Sequence, residues 1–302
     1  MTRPALRGLN AQMDLPLTDA DPPTLPPVLV HQPQGTAGPV VFASPHSGRA
    51  YPDALLEAAR LTPPALRRSE DVFVDELFVA APDHGAPLIA ATFPRAWCDA
   101  NREPWELDPA MFDGELPDWV NTTSPRVGAG LGTVPRVVAS GEAIYRRKLS
   151  FDEAKARVAA CWNPFHATLR AAVDAAVATH GGCLLIDCHS MPSPGAGPKG
   201  PDFVLGDAHG TACAPGLTRT VEEVLAGLGY QVRRNDPYAG GYITRHYGRP
   251  RDGVHALQIE IARGLYIDEA RFQKLPGFAR VQRDMGTLIA RIAGRAPSLL
   301  GT

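Results

Sequence analysis

The chain reads as an α/β protein built on a largely parallel or mixed sheet. Apolar runs of strand length recur along it, as PVVFAS (39–44), APLIAATF (86–93), CLLIDCHS (183–190) and HALQIEIA (255–262). Stretches with helical spacing of apolar residues separate these runs, the alternation that crossover-connected strands require. No apolar run approaches the ~20 residues that cross a bilayer, and no internal repeat suggests a solenoid.

Composition supports this reading and narrows the function. Of 302 residues, 44% are hydrophobic and 21% charged, so the chain can bury a core and is not mainly disordered. Thirty Lys and Arg stand against 32 Asp and Glu, a balance that argues against a nucleic-acid-binding protein. The five cysteines form no CxxC pair, and the first residues hold no apolar signal-peptide core. Reduced thiols and a cytoplasmic location are therefore expected. Glycine (29) and proline (30) are abundant. They gather in residues 1–36, expected to form an irregular Pro-rich arm, and in loops after strand ends. Residues 37–302 are expected to form one domain.

Taken in order, 39–44 ends at PHSG and reads as a strand entering a loop. Apolar residues at Leu66, Val72, Val74, Leu77, Phe78 and Ala81 predict an amphipathic helix over 65–82, after Pro63-Pro64. Residues 86–93 are the next strand, with AWCDA (96–100) a continuation past Pro94. Residues 103–138 lack a period, and a loop of that length suggests an active-site lid. Helices follow over 142–160 and 165–179, interrupted at Asn163-Pro164. Strands are predicted at 183–190, 202–207, 230–234 and 255–262, helices at 214–228 and 269–293, and loop over 235–248.

Candidate chemistry lies at the strand ends, where open α/β sheets build ligand sites. His46 and His189 each end a predicted strand, and two imidazoles so placed favour a metal site over two unrelated loop histidines. A third ligand would be a carboxylate. Glu70 and Asp71 are both available, and both also suit a first helical turn. In ALQIEIA, Leu257, Ile259 and Ile261 share one face, whereas Gln258, Glu260 and Ala262 share the other. A carboxylate in such a strand is either chemically active or held in a buried pair, with Arg263 or Arg245 as its partner. Arg95, Asn101-Arg102 and Arg245 offer forks suited to a carboxylate. Walker, Rossmann and serine-hydrolase signatures are all absent.

The segments SPHSGRAYP (44–52), SEDVFVDEL (69–77), PRAWCDANR (94–102), LLIDCHSM (184–191), PDFVLGD (201–207), GGYITRHYG (240–248) and QIEIAR (258–263) together resemble the N-formylglutamate amidohydrolases. The resemblance spans roughly residues 40–268. That family is similar in fold to zinc carboxypeptidases and aspartoacylase-type deacylases. This implies a three-layer α/β/α domain with a mixed central sheet and one zinc ion, or another divalent metal.

Carried over, the resemblance implies His46, Asp71 and His189 as metal ligands, with Glu70 as the alternative acid. Glu260 is implied as general base. Asn101-Arg102 would hold a substrate carboxylate, Arg245 a second one, Arg95 would stabilise an oxyanion, and His246 would support the site. Zinc carboxypeptidases carry an HxxE pair where Arg49 stands here, so the acid must come from further along the chain. The implied reaction is hydrolysis of the formyl amide of N-formylglutamate, a small anionic N-acyl amino acid, by attack of water assisted by Glu260 and zinc. The rival readings are another N-acyl amino acid deacylase or carboxypeptidase, and a non-catalytic sensor of an acidic metabolite.

Overall fold

The apolar runs become strands of a single sheet: β1 (Val28–His31), β2 (Val40–Ser44), β3 (Leu88–Ala91), β4 (Cys183–Met191), β5 (Phe203–Gly206), β6 (Val232–Arg234) and β7 (Val254–Ala262). The structure is a computed structural model that describes residues 25–193 and 200–301. The strand order is β1-β3-β2-β4-β7-β5-β6. Strands β3, β2, β4 and β7 run parallel, while β1 joins β3 and β5 joins β7 in antiparallel pairs. Two-residue strands β8 (Ile267–Asp268) and β9 (Gln273–Lys274) form a separate hairpin. The helices are α1 (Asp53–Ala58), α2 (Pro63–Leu66), α3 (Val74–Leu77), α4 (Pro125–Gly128), α5 (Phe151–Arg157), α6 (Asn163–His180), α7 (Pro215–Gly227), α8 (Tyr242–Tyr247) and α9 (Phe278–Leu300).

Strand alternation divides the core into two layers. Phe42, Ile186, Leu257 and Ile259 pack on one face with Leu77 of α3, Val221 of α7 and Ile289 of α9. Val41, Ile89, Leu185 and Ala256 pack on the other with Phe165 and Leu169 of α6 and Ile243 of α8. This is the expected three-layer α/β/α arrangement. Each such side chain removed from water contributes ~1.5–3 kcal/mol. Among the described residues, no helix is long and apolar enough to cross a membrane.

Several elements differ from expectation. The arm of residues 1–36 ends in regular structure: Val28–His31 is an edge strand in register with Leu88–Ala91. Pro26 and Pro27 just before it hid the strand, although an edge tolerates missing donors. Residues 1–24 of that arm, and 194–199 of the loop after β4, lie outside the described residues. The helix predicted over 65–82 is broken into α2, a 3-10 turn at Arg67–Ser69, and α3, with Phe73 in the left-handed region at φ 61. The break turns Asp71 inward, and its N–H donates to the His46 carbonyl at 3.0 Å.

Residues 96–100 form turns rather than a strand, because the Asp99 N–H bonds the Thr133 carbonyl at 2.7 Å instead of a sheet neighbour. The helix expected from 142 begins only at Phe151. A capping box there joins Ser150 and Glu153, an S-x-x-E signal present in the sequence. The wide turn Val158–Trp162 then leads directly into α6, so Asn163-Pro164 does not interrupt the helix. Pro164 lacks a donor at a turn already out of α register. The supposed loop over 235–248 contains α8, and α9 starts at Phe278 because β9 occupies part of the expected helix.

Candidate metal centre

The second face of the sheet is apolar at Leu185 and Ala256, and becomes polar towards the carboxyl ends of the same strands. There β4 presents Asp187 and His189, and β7 presents Gln258 and Glu260. Their pairing sets Asp187 beside Gln258 and His189 beside Glu260. His46 follows β2 in the loop that SPHSG builds. Gly48 is required in that loop, since a Cβ would stand 2.1 Å from the Phe93 carbonyl oxygen. These groups open onto a cavity of about 420 Å³, walled also by Arg95, Arg102, Arg126 and Arg245.

The two histidines are oriented alike. His46 Nε2 lies 2.7 Å from Asp99 Oδ1, and His189 Nε2 lies 2.9 Å from Asp187 Oδ1. A carboxylate on Nε2 holds the proton there and leaves Nδ1 as a lone-pair donor. Both Nδ1 atoms face Asp71 Oδ2, at 3.4 Å from His46 and 2.8 Å from His189. The ligand atoms of His46, Asp71 and His189 all lie within 4.8 Å of one another. His46 Nδ1 is buried without a hydrogen-bond partner among the described residues.

A buried lone pair facing a carboxylate oxygen is unfavourable unless a cation joins them. The donor set therefore fits a metal ion, and two imidazoles with one carboxylate match the composition of open catalytic zinc sites. Asp71 is also held by Arg263 at 3.1 Å and by the Ser190 hydroxyl at 3.2 Å. Burial opposes its charge, but the two histidines prevail and keep its carboxyl well below the usual range.

Glu260 sits across the register from His189. Its Oε1 accepts from Gln258 Nε2 at 2.8 Å, and burial raises its carboxyl to about 7. Arg263 pairs with Asp71 and not with Glu260, so the buried-pair explanation for that glutamate has no support from Arg263. Glu70 also takes another role: its carboxylate binds the Tyr51 hydroxyl at 2.5 Å and Arg67 at 3.0 Å. The acid brought to the histidines is Asp71. Arg49, at the HxxE position, lies outside and pairs with Asp75 and Glu76.

Arg95 lines the cavity with Nε 2.8 Å from Asp99 Oδ2. Arg102 is buried and donates to the carbonyls of Leu131 at 2.8 Å and Asn101 at 2.7 Å. Asn101 does not present a free amide for substrate. Its Nδ2 lies 2.9 Å from His189 Nε2 and 3.2 Å from Asp187 Oδ2, and its Oδ1 accepts from Ile243 N at 2.7 Å. It braces Asp187, the partner of His189, and the start of α8. Gly241 permits that contact, because a Cβ there would come within 2.5 Å of Asn101 Nδ2.

His246 is not brought into the cavity. It stacks on Tyr242 at 4.8 Å and meets Arg170 at 2.9 Å. Arg245 and His246 are consecutive on α8, so they point about 100° apart and only Arg245 reaches the cavity.

Sequence reasoning passed over Asp99, Asp187 and Arg126, and considered Arg263 only as a partner for Glu260. Asp187 had a signal: it lies two residues before His189 in a strand, hence on the same face. Asp99 precedes Asn101 in the same way, but in a turn without period.

Residues 38–267 match the N-formylglutamate amidohydrolase family. An N-formylglutamate deformylase of Pseudomonas putida is 34% identical over 242 residues, 76% of this chain and 82% of that protein. Its counterpart from Pseudomonas aeruginosa is 31% identical over 241 residues, 76% and 83% of the two chains. The crystal structure of N-formylglutamate amidohydrolase from Ralstonia eutropha JMP134 superposes with a TM-score of 0.84 at 39% identity, covering 89% of this chain and 97% of that one. With a profile spanning most of the domain and relatives covered nearly end to end, the chain belongs to the N-formylglutamate amidohydrolase family.

Proposed function

We propose that the protein hydrolyses the formyl amide of N-formyl-L-glutamate, releasing formate and glutamate, with zinc held by His46, Asp71 and His189. The observation that carries this reading is the convergence, in one cavity, of a His-Asp-His cluster, an unusually basic carboxylate and several guanidiniums. The family's curated relatives are named for that reaction. The five cysteines are all buried free thiols, which suits a reducing cytoplasm.

When bound, zinc supplies Lewis-acid polarisation of a carbonyl and lowers the pKa of water towards ~7. The chain's own residues do the rest. Asp99 and Asp187 fix the imidazole tautomers, and Asn101 braces Asp187. Glu260, held by Gln258, takes a proton from the attacking water and returns it to the departing amine nitrogen as the C–N bond breaks. Arg95, oriented by Asp99, faces the charge that develops on the formyl oxygen. Arg102 and Arg245 provide positive charge for the carboxylates of the substrate.

Formate release from N-formylglutamate, suppressed by a chelator and restored by zinc, is the expected result. Turnover confined to other acyl groups or to C-terminal residues would favour a different deacylase or a carboxypeptidase. Absence of bound zinc together with absence of turnover would indicate a metabolite-binding protein.

A further inference from the structure

Beyond the anchors Arg102 and Arg245, the cavity is lined by Arg95, paired with Asp99, by Arg263, paired with Asp71, and by one further cation. Arg126 stands on α4, within the segment that covers the site, and lines the cavity beside Arg102. Among the described residues it has no carboxylate partner, whereas Arg95 is paired with Asp99. Arg102 lines the same cavity as the guanidiniums of Arg95 and Arg126 and feels the charge of both. Arg95 lies nearest the metal ligands, where Asp71 and Glu260 act on it. Arg102 lies 3.8 Å from Asp99. Arg126 is close enough to Arg102 to help draw its pKa down to about 10, an effect led by burial. Adjacent guanidiniums repel one another, and an arrangement of this kind is relieved when an anion enters between or beside them.

We propose that Arg126 is a specificity-determining residue that receives the substrate carboxylate farther from the scissile amide, while Arg102 receives the nearer one. This deepens the deformylase reading and rests on it for the identity of the substrate. Two carboxylates on one short carbon chain match two neighbouring guanidiniums, and Arg245 faces them from α8. Arg126 is exposed, and among the described residues its side chain makes no hydrogen bond, so the guanidinium contributes little to the fold. Its segment has a small core of its own, including Leu107, Phe112 and Leu149, and α4 is anchored by buried Val127 and the Ser124 cap.

The test is equilibrium binding of N-formyl-L-glutamate and N-formyl-L-glutamine, near-isosteric compounds that differ in the distal charge, to the zinc-loaded full chain. The wild type is expected to favour the glutamate compound, and Arg126→Gln to reduce that preference about 10- to 100-fold. Arg126→Lys should retain part of it. A glutamate-over-glutamine ratio that survives Arg126→Gln overturns the proposal, as does a wild type that binds neither compound. Formate release is measured alongside. If the wild type shows the Arg126-dependent ratio but releases no formate, only the deformylase reading fails.

Discussion

Asp187 and Gln258 at the strand ends, and Asp71 and Asp99 in the loops beside them, are each held by other groups, and through them the histidines and Glu260 are held as well. The side chains of Arg126 and Arg245 on the facing wall have no hydrogen bond or ion pair among the described residues. The first region grows from four parallel strands and inherits their rigidity. The second is carried by α8 and by a segment with its own satellite core. Chemistry needs atoms fixed to a fraction of an ångström, and a sheet can supply this. Recognition of a flexible dianion needs cations that are not already neutralised, and a covering segment can supply those.

The largest effect should come from the rigid end. Glu260→Gln is expected to lower kcat by about 10²–10⁴-fold while zinc content, measured by elemental analysis, stays unchanged. Retained turnover would remove the catalytic distinction between the two regions. Leu107→Ala opens the satellite core beneath the arginine wall, at a cost of ~2–5 kcal/mol of local stability. Steady-state kinetics should then show KM rising more than kcat falls, and a reversed pattern would mean that the covering segment positions the chemistry too.

A smaller change is expected from Asp187→Asn, which leaves His189 without its tautomer-fixing carboxylate. Zinc affinity in a competition titration should weaken about 10- to 100-fold.

The smallest effect concerns His166, which is buried on α6. It contacts the Ala100 carbonyl at 2.8 Å and the Tyr247 hydroxyl at 3.0 Å, and stacks on Trp162. Burial lowers its pKa from 6.5 to about 4. Between those values the unfolded chain binds a proton that the folded chain refuses, so stability falls as pH drops through the window. Thermal unfolding of His166→Gln should show a flatter acid limb, by about 1 kcal/mol at about pH 5.5.

His46, His189 and Glu260 were legible because each follows or breaks a strand pattern in which the side-chain period is strict. The choice between Glu70 and Asp71 was not legible. Apolar spacing over 65–82 suggests one helix, and only the left-handed turn at Phe73 shows which acid points inward. Arg245 and His246 are both expected at the site from sequence, because adjacency hides the rotation between neighbours on a helix. Arg126 lies in a stretch whose order comes from a tertiary core, Leu107 to Leu149, which has no local period to read. Strand β1 was hidden by its flanking prolines, since an edge strand needs only half of its ladder.

Asp99 accepts from His46 Nε2 and from the Asn101 N–H through Oδ1, and from Arg95 through Oδ2. One carboxylate thus answers to an imidazole, a peptide bond and a guanidinium at the same time. Energetically these three are not independent variables. Substitutions at His46 and Arg95 should show strong epistasis, with the double variant losing less than the sum of the singles. For the same reason, alteration of Arg95 during evolution or design would be felt as a change in the basicity of His46.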